Sequence, residues 1–392
     1  MNTNILNSEV QQFINENINA DISKLIFKGS PFNNVSIQEL ATQISSKKRC
    51  EKKLPSWFET QHIYYPAKVN IEQTSSEATA KHKTSLISGD SIIDITGGFG
   101  VDCFYFSQHF KNVTHCELDT NLSTIVNNNY QQLKIDNVKT VSGDGIEYLK
   151  SNNQKYDWIY IDPSRRDAVN KKVFMLKDCL PNVPKNIDLL FEKSNNILIK
   201  NSPILDITKT INELRFIKEI YVIALNNEVK ELLFLLENHY TEPIQIKTIN
   251  FAKNKSQSFG FQYNTNNNSI YASPKKYIYE PNAAILKSGG FHEISAQLNL
   301  EKLHQHSHLY TSEKLIEFPG RTFILDQICN YNKKEIKKYL KENKANITTR
   351  NFPETVAQIR KKTKIKDGGN QYLFFTTDHK NNNIVLITSQ VF

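Results

Sequence analysis

The sequence predicts an α/β protein: a doubly wound parallel sheet, preceded by a helical region and followed by a small α+β module. Three observations predict it. From Ser91 to Ile249, short apolar runs alternate with helical stretches, the rhythm of βαβ units covered by helices on both faces. A glycine-dense turn, Gly97-Gly98-Phe99-Gly100, follows the first of those runs. Four carboxylates, Asp94, Glu117, Asp144 and Asp162, close four successive runs. A parallel sheet collects such strand ends on one rim, where open α/β folds bind ligands.

Residues 1–60 read as helices, because Val10, Phe13 and Ile14, then Ile22, Leu25 and Ile26, then Leu40 and Ile44 recur at helical intervals. They carry no chemical motif and read as a helical cap or docking layer. A further helix starts after Ser75 or Ser76 as N-cap. The strands expected next are 91–96, 113–118, 138–144, 158–163, 196–200, 219–225 and 244–249. Between them helices are expected at 101–110, 120–134, 146–150, 173–192, 206–214 and 228–238. An Asn- and Ser-rich stretch at 264–269 reads as a hairpin tip. The last seventy residues read strand 322–328, helix 333–343, strand 346–350, helix 353–362, strand 371–377 and strand 384–389, a pattern of ferredoxin-like type. The resulting division is 1–60, 61–274, 275–329 and 330–392.

Apolar residues make up 39% of the 392 and charged ones 23%, which excludes wholesale disorder. No run approaches the roughly 18 apolar residues of a membrane span, and the first residues have no basic and apolar signal pattern. Five scattered cysteines without CxxC spacing argue against a disulfide framework and a structural zinc site. A reducing cytoplasm is the expected location. The net charge is +9. Residues 331–366 hold twelve Lys and Arg, among them Arg350, Lys361 and Lys362, against Glu335, Glu342 and Glu354. That surplus equals the excess of the whole chain. It reads either as a polyanion-binding patch or as a solvated pair of helices.

The glycine turn allows a tight bend and lets a ligand approach backbone with no Cβ in the way. A dinucleotide fingerprint wants a third glycine where Cys103 stands, and no phosphate-loop lysine follows. The loop therefore suits a nucleoside without pyrophosphate. Glu117 can accept both ribose hydroxyls. Asp144 can accept an amino hydrogen from adenine, cap the helix from Ile146, or do both.

Together, Asp94-x-x-x-Gly98-x-Gly100, Glu117, Asp144 and Asp162-Pro163 resemble the S-adenosylmethionine motifs of class I methyltransferases with a Rossmann-like domain. More narrowly, EQTSSEATAKHK, DITGGFGVD, IDPSRR, LIKNSPILDI, YEPNAAILKSGGF and ITTRNFP resemble the bacterial methyltransferase family ending in a THUMP-like domain. The resemblance covers roughly residues 60–392. One departure is Thr96, where class I enzymes often have the first glycine. The resemblance implies a methionine moiety near Asp94, Thr96, Gly97, Gly98 and Gly100, ribose on Glu117, and adenine near Asp144. The turn around Ser75 either closes the methionine end or merely caps its helix.

The resemblance also implies that Asp162 and the Pro163 carbonyl accept hydrogens from an exocyclic amine. Ser164 and Arg165 stand where related motifs have proline and an aromatic. Arg165 and Arg166 either stack on a base and bind phosphate, or pair with neighbouring carboxylates. Lys200 either binds an anionic substrate group or snorkels to the surface. Cys179 falls in an expected helix, and Lys200-Asn201-Ser202-Pro203 at the end of the fifth strand holds no cysteine, which disfavours covalent C5 chemistry. His304, His306 and His308 alternate as on one strand face, but no acidic or cysteine partner accompanies them, so no metal is expected. The leading expectation is a methyltransferase using S-adenosylmethionine on structured RNA, with Arg166, Lys200, Arg350, Lys361 and Lys362 toward the substrate. Alternatives are a small-molecule or protein amine as acceptor, or a nucleic-acid-binding protein with an inactive methyltransferase fold.

Overall fold

The protein is represented by a computed structural model that describes residues 1–165, 175–252 and 255–391. It divides into two compact units, Met1–Lys218 with Leu233–Thr241, and Glu219–Leu232 with Glu242–Phe392.

The first unit opens with α1 (Ser8–Glu16), α2 (Ile22–Lys28), α3 (Ile37–Lys53), α4 (Pro55–Glu59), α5 (Lys68–Gln73) and α6 (Glu77–Ser85). Ser36 and Glu39 form a capping box at the start of α3, satisfying donors that a helix start leaves open. Ser76, one of the two residues expected, caps α6. Side-chain amides, each carrying both a donor and an acceptor, fix the segment that follows α4. Gln43 pairs with the backbone N–H and carbonyl of Tyr65, and Asn129 does the same for Tyr64.

The sheet begins with β1 (Ser91–Asp94), α7 (Val101–Phe106), β2 (Asn112–Glu117), α8 (Thr120–Gln132), β3 (Val138–Ser142), α9 (Gly145–Ser151) and β4 (Trp158–Ile161). A short ladder follows, β5 (Ser164–Arg165) antiparallel to β6 (Cys179–Leu180). Then come α10 (Val183–Lys193), β7 (Asn196–Asn201) and α11 (Ile207–Glu213). Strands β3, β2, β1, β4 and β7 lie side by side in that order, all parallel. The order reverses between β1 and β4, which makes their carboxyl ends the switch point of the sheet.

The second unit contains most of β8 (Ile217–Leu225) and the first half of β9 (Glu228–Glu237), then β10 (Gln245–Phe251) and β11 (Gln257–Gln262). β10 runs parallel to β8 and antiparallel to β11. It continues with β12 (Tyr277–Pro281), α12 (Ala283–Ser288), α13 (Phe291–Gln297), β13 (Glu301–Lys302), β14 (Tyr310–Ser312) and β15 (Gly320–Asn330). It ends with α14 (Lys333–Tyr339), β16 (Asn346–Arg350), α15 (Val356–Thr363), β17 (Gln371–Thr377) and β18 (Asn383–Gln390). Strands β12 to β18 form a seven-stranded sheet, ordered β13-β14-β12-β15-β18-β17-β16. The alternation of β17 sends Leu373 and Phe375 to the face covered by Ile336 of α14 and Ile359 of α15, and Phe374 to a second core with Ile278, Phe323 and Leu386.

Four expectations are corrected. The helix expected at 228–238 is β9: Leu232 to Leu236 are all buried, as in a strand covered on both faces, and apolar periodicity alone does not separate that from a buried helix. Asn226 and Asn227, both at positive φ, form the turn that leads into it. Of the helix expected at 173–192, the described residues form α10, preceded by β6, so Cys179 is in a strand. The stretch 264–269 follows β11 and is no hairpin tip; the antiparallel partners β10 and β11 flank 252–256 instead. His304 to His308 lie in a turn rather than a strand, with His304 bonded to Asn381 and Asn351 and His308 stacked on Phe291.

Candidate active site

The carboxyl ends of β1, β2, β3 and β4 are stitched together by the chain's own hydrogen bonds. Gly97 N–H donates to the Cys116 carbonyl at 2.7 Å, and Gly143 N–H to the Glu117 carbonyl at 2.9 Å. The Glu117 side chain accepts from Gly98 N–H and Asp119 N–H, both at 2.8 Å. A carboxylate has lone pairs to spare after two such bonds. Thr96 stands at the centre. Its hydroxyl bonds to Asp94 at 3.0 Å and accepts the Asp162 N–H at 2.7 Å, tying the glycine loop to the Asp-Pro turn. A glycine at position 96 would lack that bond, so the departure from the common pattern has a structural role.

The glycines divide into two kinds. At Gly97 a Cβ would collide with the ring of His115, and at Gly100, with φ +77°, it would collide with the Tyr130 hydroxyl. These two are required by packing. At Gly98, with φ +53°, a Cβ would meet only the Thr96 carbonyl, at 3.8 Å, and at Gly143 nothing within 4 Å. Open space thus lies over both loop tips beside Glu117. Asp144 caps α9, its Oδ1 accepting from Ile146 and Glu147 N–H at 2.7 and 3.2 Å, and Oδ2 has no partner among the described residues.

The electrostatics beneath this rim are those of a buried charge cluster on one face of the sheet. Asp94 is buried, and desolvation, reinforced by the charges of Asp102 and Asp162, pushes its carboxyl up to about 8 despite the Thr96 bonds. Burial would also raise Asp102. The positive charges of Lys83 and Lys200, with hydrogen bonds from Ser75 and Tyr160, more than offset it and hold Asp102 below the usual carboxylate range. Lys83 is completely buried, 3.2 Å from Asp102 and 3.0 Å from the Ser75 hydroxyl. Ser75 and Tyr160 donate to Asp102 at 2.8 and 2.9 Å. His115 is fully buried, and desolvation lowers it to about 4, so it is neutral at pH 7.

Of the substrate-side residues, Asp162 is ion-paired with Lys200, which is buried at the end of β7. Lys200 therefore does not snorkel. Pro163 is buried and Ser164 is exposed, opposite Leu180 across the β5–β6 ladder. Arg165 pairs through its backbone with Cys179, whose buried thiol lies 3.8 Å from the Met175 carbonyl. Arg166 lies outside the described residues. In the second unit Arg350 pairs with Glu280 and Lys362 with Glu354. The structure thus brings Asp94, Thr96, Gly97, Gly98, Gly100, Glu117, Asp144 and Asp162 to one rim and Ser75 beneath it. The sequence reading missed Lys83, Asp102 and Tyr160; Lys83 lies in a polar helix with nothing to mark it as buried.

Across its whole length the chain is 30% identical to a protein of Porphyromonas gingivalis W83 assigned as a methyltransferase, covering 99% of it with a TM-score of 0.89. The chain belongs to that methyltransferase family. Within this methyltransferase, residues 277–319 match the ferredoxin-like domain and residues 320–390 the THUMP-like domain. A Mycoplasma mobile protein designated an uncharacterised RNA methyltransferase is 31% identical over 77 residues, 20% of this chain. The match spans about a fifth of that relative. No helix among the described residues is long and apolar enough to cross a membrane.

Proposed function

We propose that this methyltransferase uses S-adenosylmethionine to methylate a base of structured RNA, by direct transfer without a covalent enzyme–base adduct. The cofactor reading rests on the open space over Gly98 and Gly143 beside Glu117, at the switch point of the sheet. The RNA reading rests on the THUMP-like domain and on the surplus of nine positive charges within 331–366.

S-adenosylmethionine supplies an electrophilic sulfonium methyl. The loop running from Asp94 through Gly98 to Gly100 would hold the methionine end, Glu117 the ribose, and Asp144 the adenine edge. Asp162 and the Pro163 carbonyl accept hydrogens from the acceptor amine, orienting its lone pair; such positioning is the main catalytic task in an in-line displacement. Asp162 would take the proton that the acceptor nitrogen sheds on methylation. Lys200 keeps the Asp162 carboxylate in place for that role. The burial of the Cys179 thiol supports a non-covalent route. The test is transfer of a tritiated methyl group onto total RNA from a strain lacking the protein, followed by mass spectrometry of the nucleosides. Label on a small molecule or a protein alone would overturn the RNA acceptor.

A further inference from the structure

Glu280 is a buried carboxylate, 3% exposed, that is held by two arginines at once. Arg321, its cross-strand neighbour in the β12–β15 pair, bonds to Oε2 through Nε at 2.8 Å and through Nη2. Arg350, at the end of β16, bonds to Oε1 through Nε at 3.2 Å and Nη2 at 2.8 Å. Each guanidinium therefore spends its Nε edge on Glu280. The Nη1 groups have no hydrogen-bond partner among the described residues. The two side chains remain 37% and 32% exposed. Arg321 is further oriented by the faces of Phe323 and Tyr372, its guanidinium 5.4 and 5.8 Å from their ring centres.

One arginine suffices to neutralise one carboxylate. The second leaves a net positive charge in a pair of planar forks whose geometry is already set, so little side-chain entropy remains to be lost when an anion arrives. The surroundings share the sign. His308 is pushed down to about 4, first by burial and then by the positive charges of Lys302 and Arg350.

We propose that Arg321 and Arg350, presented by Glu280, form a phosphodiester-binding clamp for the RNA backbone, separate from the lysines of α14 and α15. A guanidinium edge matches two phosphate oxygens with parallel hydrogen bonds, which a lysine does not. The inference rests on the RNA reading above, and its test separates the two. Binding of a fluorescently labelled total tRNA pool to the full chain is measured by anisotropy at several salt concentrations. Arg321→Gln and Arg350→Gln are each expected to weaken binding about tenfold and to lower the slope of log K against log salt by about one. An unchanged slope in both variants, with the wild type binding tRNA, overturns the clamp and leaves the RNA reading standing. Absence of tRNA binding by the wild type at low salt overturns both. Because either variant can unbalance Glu280, a second measurement uses the unaltered protein. Phenylglyoxal modification of Arg321 and Arg350, read by peptide mass spectrometry, is expected to fall several-fold when tRNA is bound. Equal modification with and without bound tRNA overturns the clamp.

Discussion

Replacing Lys83 with methionine removes a completely buried ammonium while nearly preserving its volume, and it leaves Asp102 charged inside the protein. At 3.2 Å and an effective dielectric of about 20, the direct attraction lost is about 5 kcal/mol. Methionine regains part of the desolvation that the ammonium cost. The hydrogen bonds from Ser75 and Tyr160 and the charge of Lys200 continue to support Asp102. Breaking one side of a buried pair costs about 3–5 kcal/mol, and with this remaining support the lower end, about 3 kcal/mol, is expected. Asp102 lies below its ordinary value in the folded protein, so its contribution is present above the unfolded pKa and lost as pH falls through the folded one. Removing Lys83 raises the folded value, so the penalty is largest at neutral pH and shrinks on acidification. Urea unfolding of Lys83→Met, Asp102→Asn and the double variant, at pH 7.5 and pH 5, measures this. The double variant should recover at least about 1 kcal/mol relative to additivity. A loss below about 1 kcal/mol for Lys83→Met, or strict additivity, would refute the assignment of this pair as the support beneath the rim.

Gly98→Ala and Gly100→Ala should separate ligand space from packing. The first should cost about 1 kcal/mol of stability for its positive φ yet abolish cofactor binding by calorimetry, whereas the second should also lose a further 1 kcal/mol or so against Tyr130. Asp94, raised to about 8, should withdraw stability as pH climbs from about 4 through 8, by up to about 1.4 kcal/mol per pH unit. Asp94→Asn should therefore gain on the wild type across that window in denaturation curves, and parallel pH profiles would exclude a neutral Asp94. Lys200→Met should lower kcat more than cofactor affinity, because it disturbs Asp162 rather than the glycine loop; an unchanged kcat would remove Lys200 from the reaction.

Much of this was legible in the chain. Strands β1 to β4 and the C-terminal α+β order were readable because their apolar runs are short and bounded by local turn residues. The glycine loop and its acidic neighbours were readable for a similar reason: parallel strands place every strand end on the same rim, so position along the chain translates into position in space. β9 was misread because five consecutive buried apolar residues carry no period at all.

What the sequence alone determined is therefore the set of elements whose signal is local, and the identity of the rim they build. Tertiary structure decided the partnerships. Lys83 with Asp102, Thr96 with Asp162, Lys200 with Asp162 and Arg350 with Glu280 join residues up to 70 positions apart. A charged side chain has the same sequence signature whether it meets water or a buried partner. Only the folded packing, by removing water, leaves each buried charge dependent on its partner.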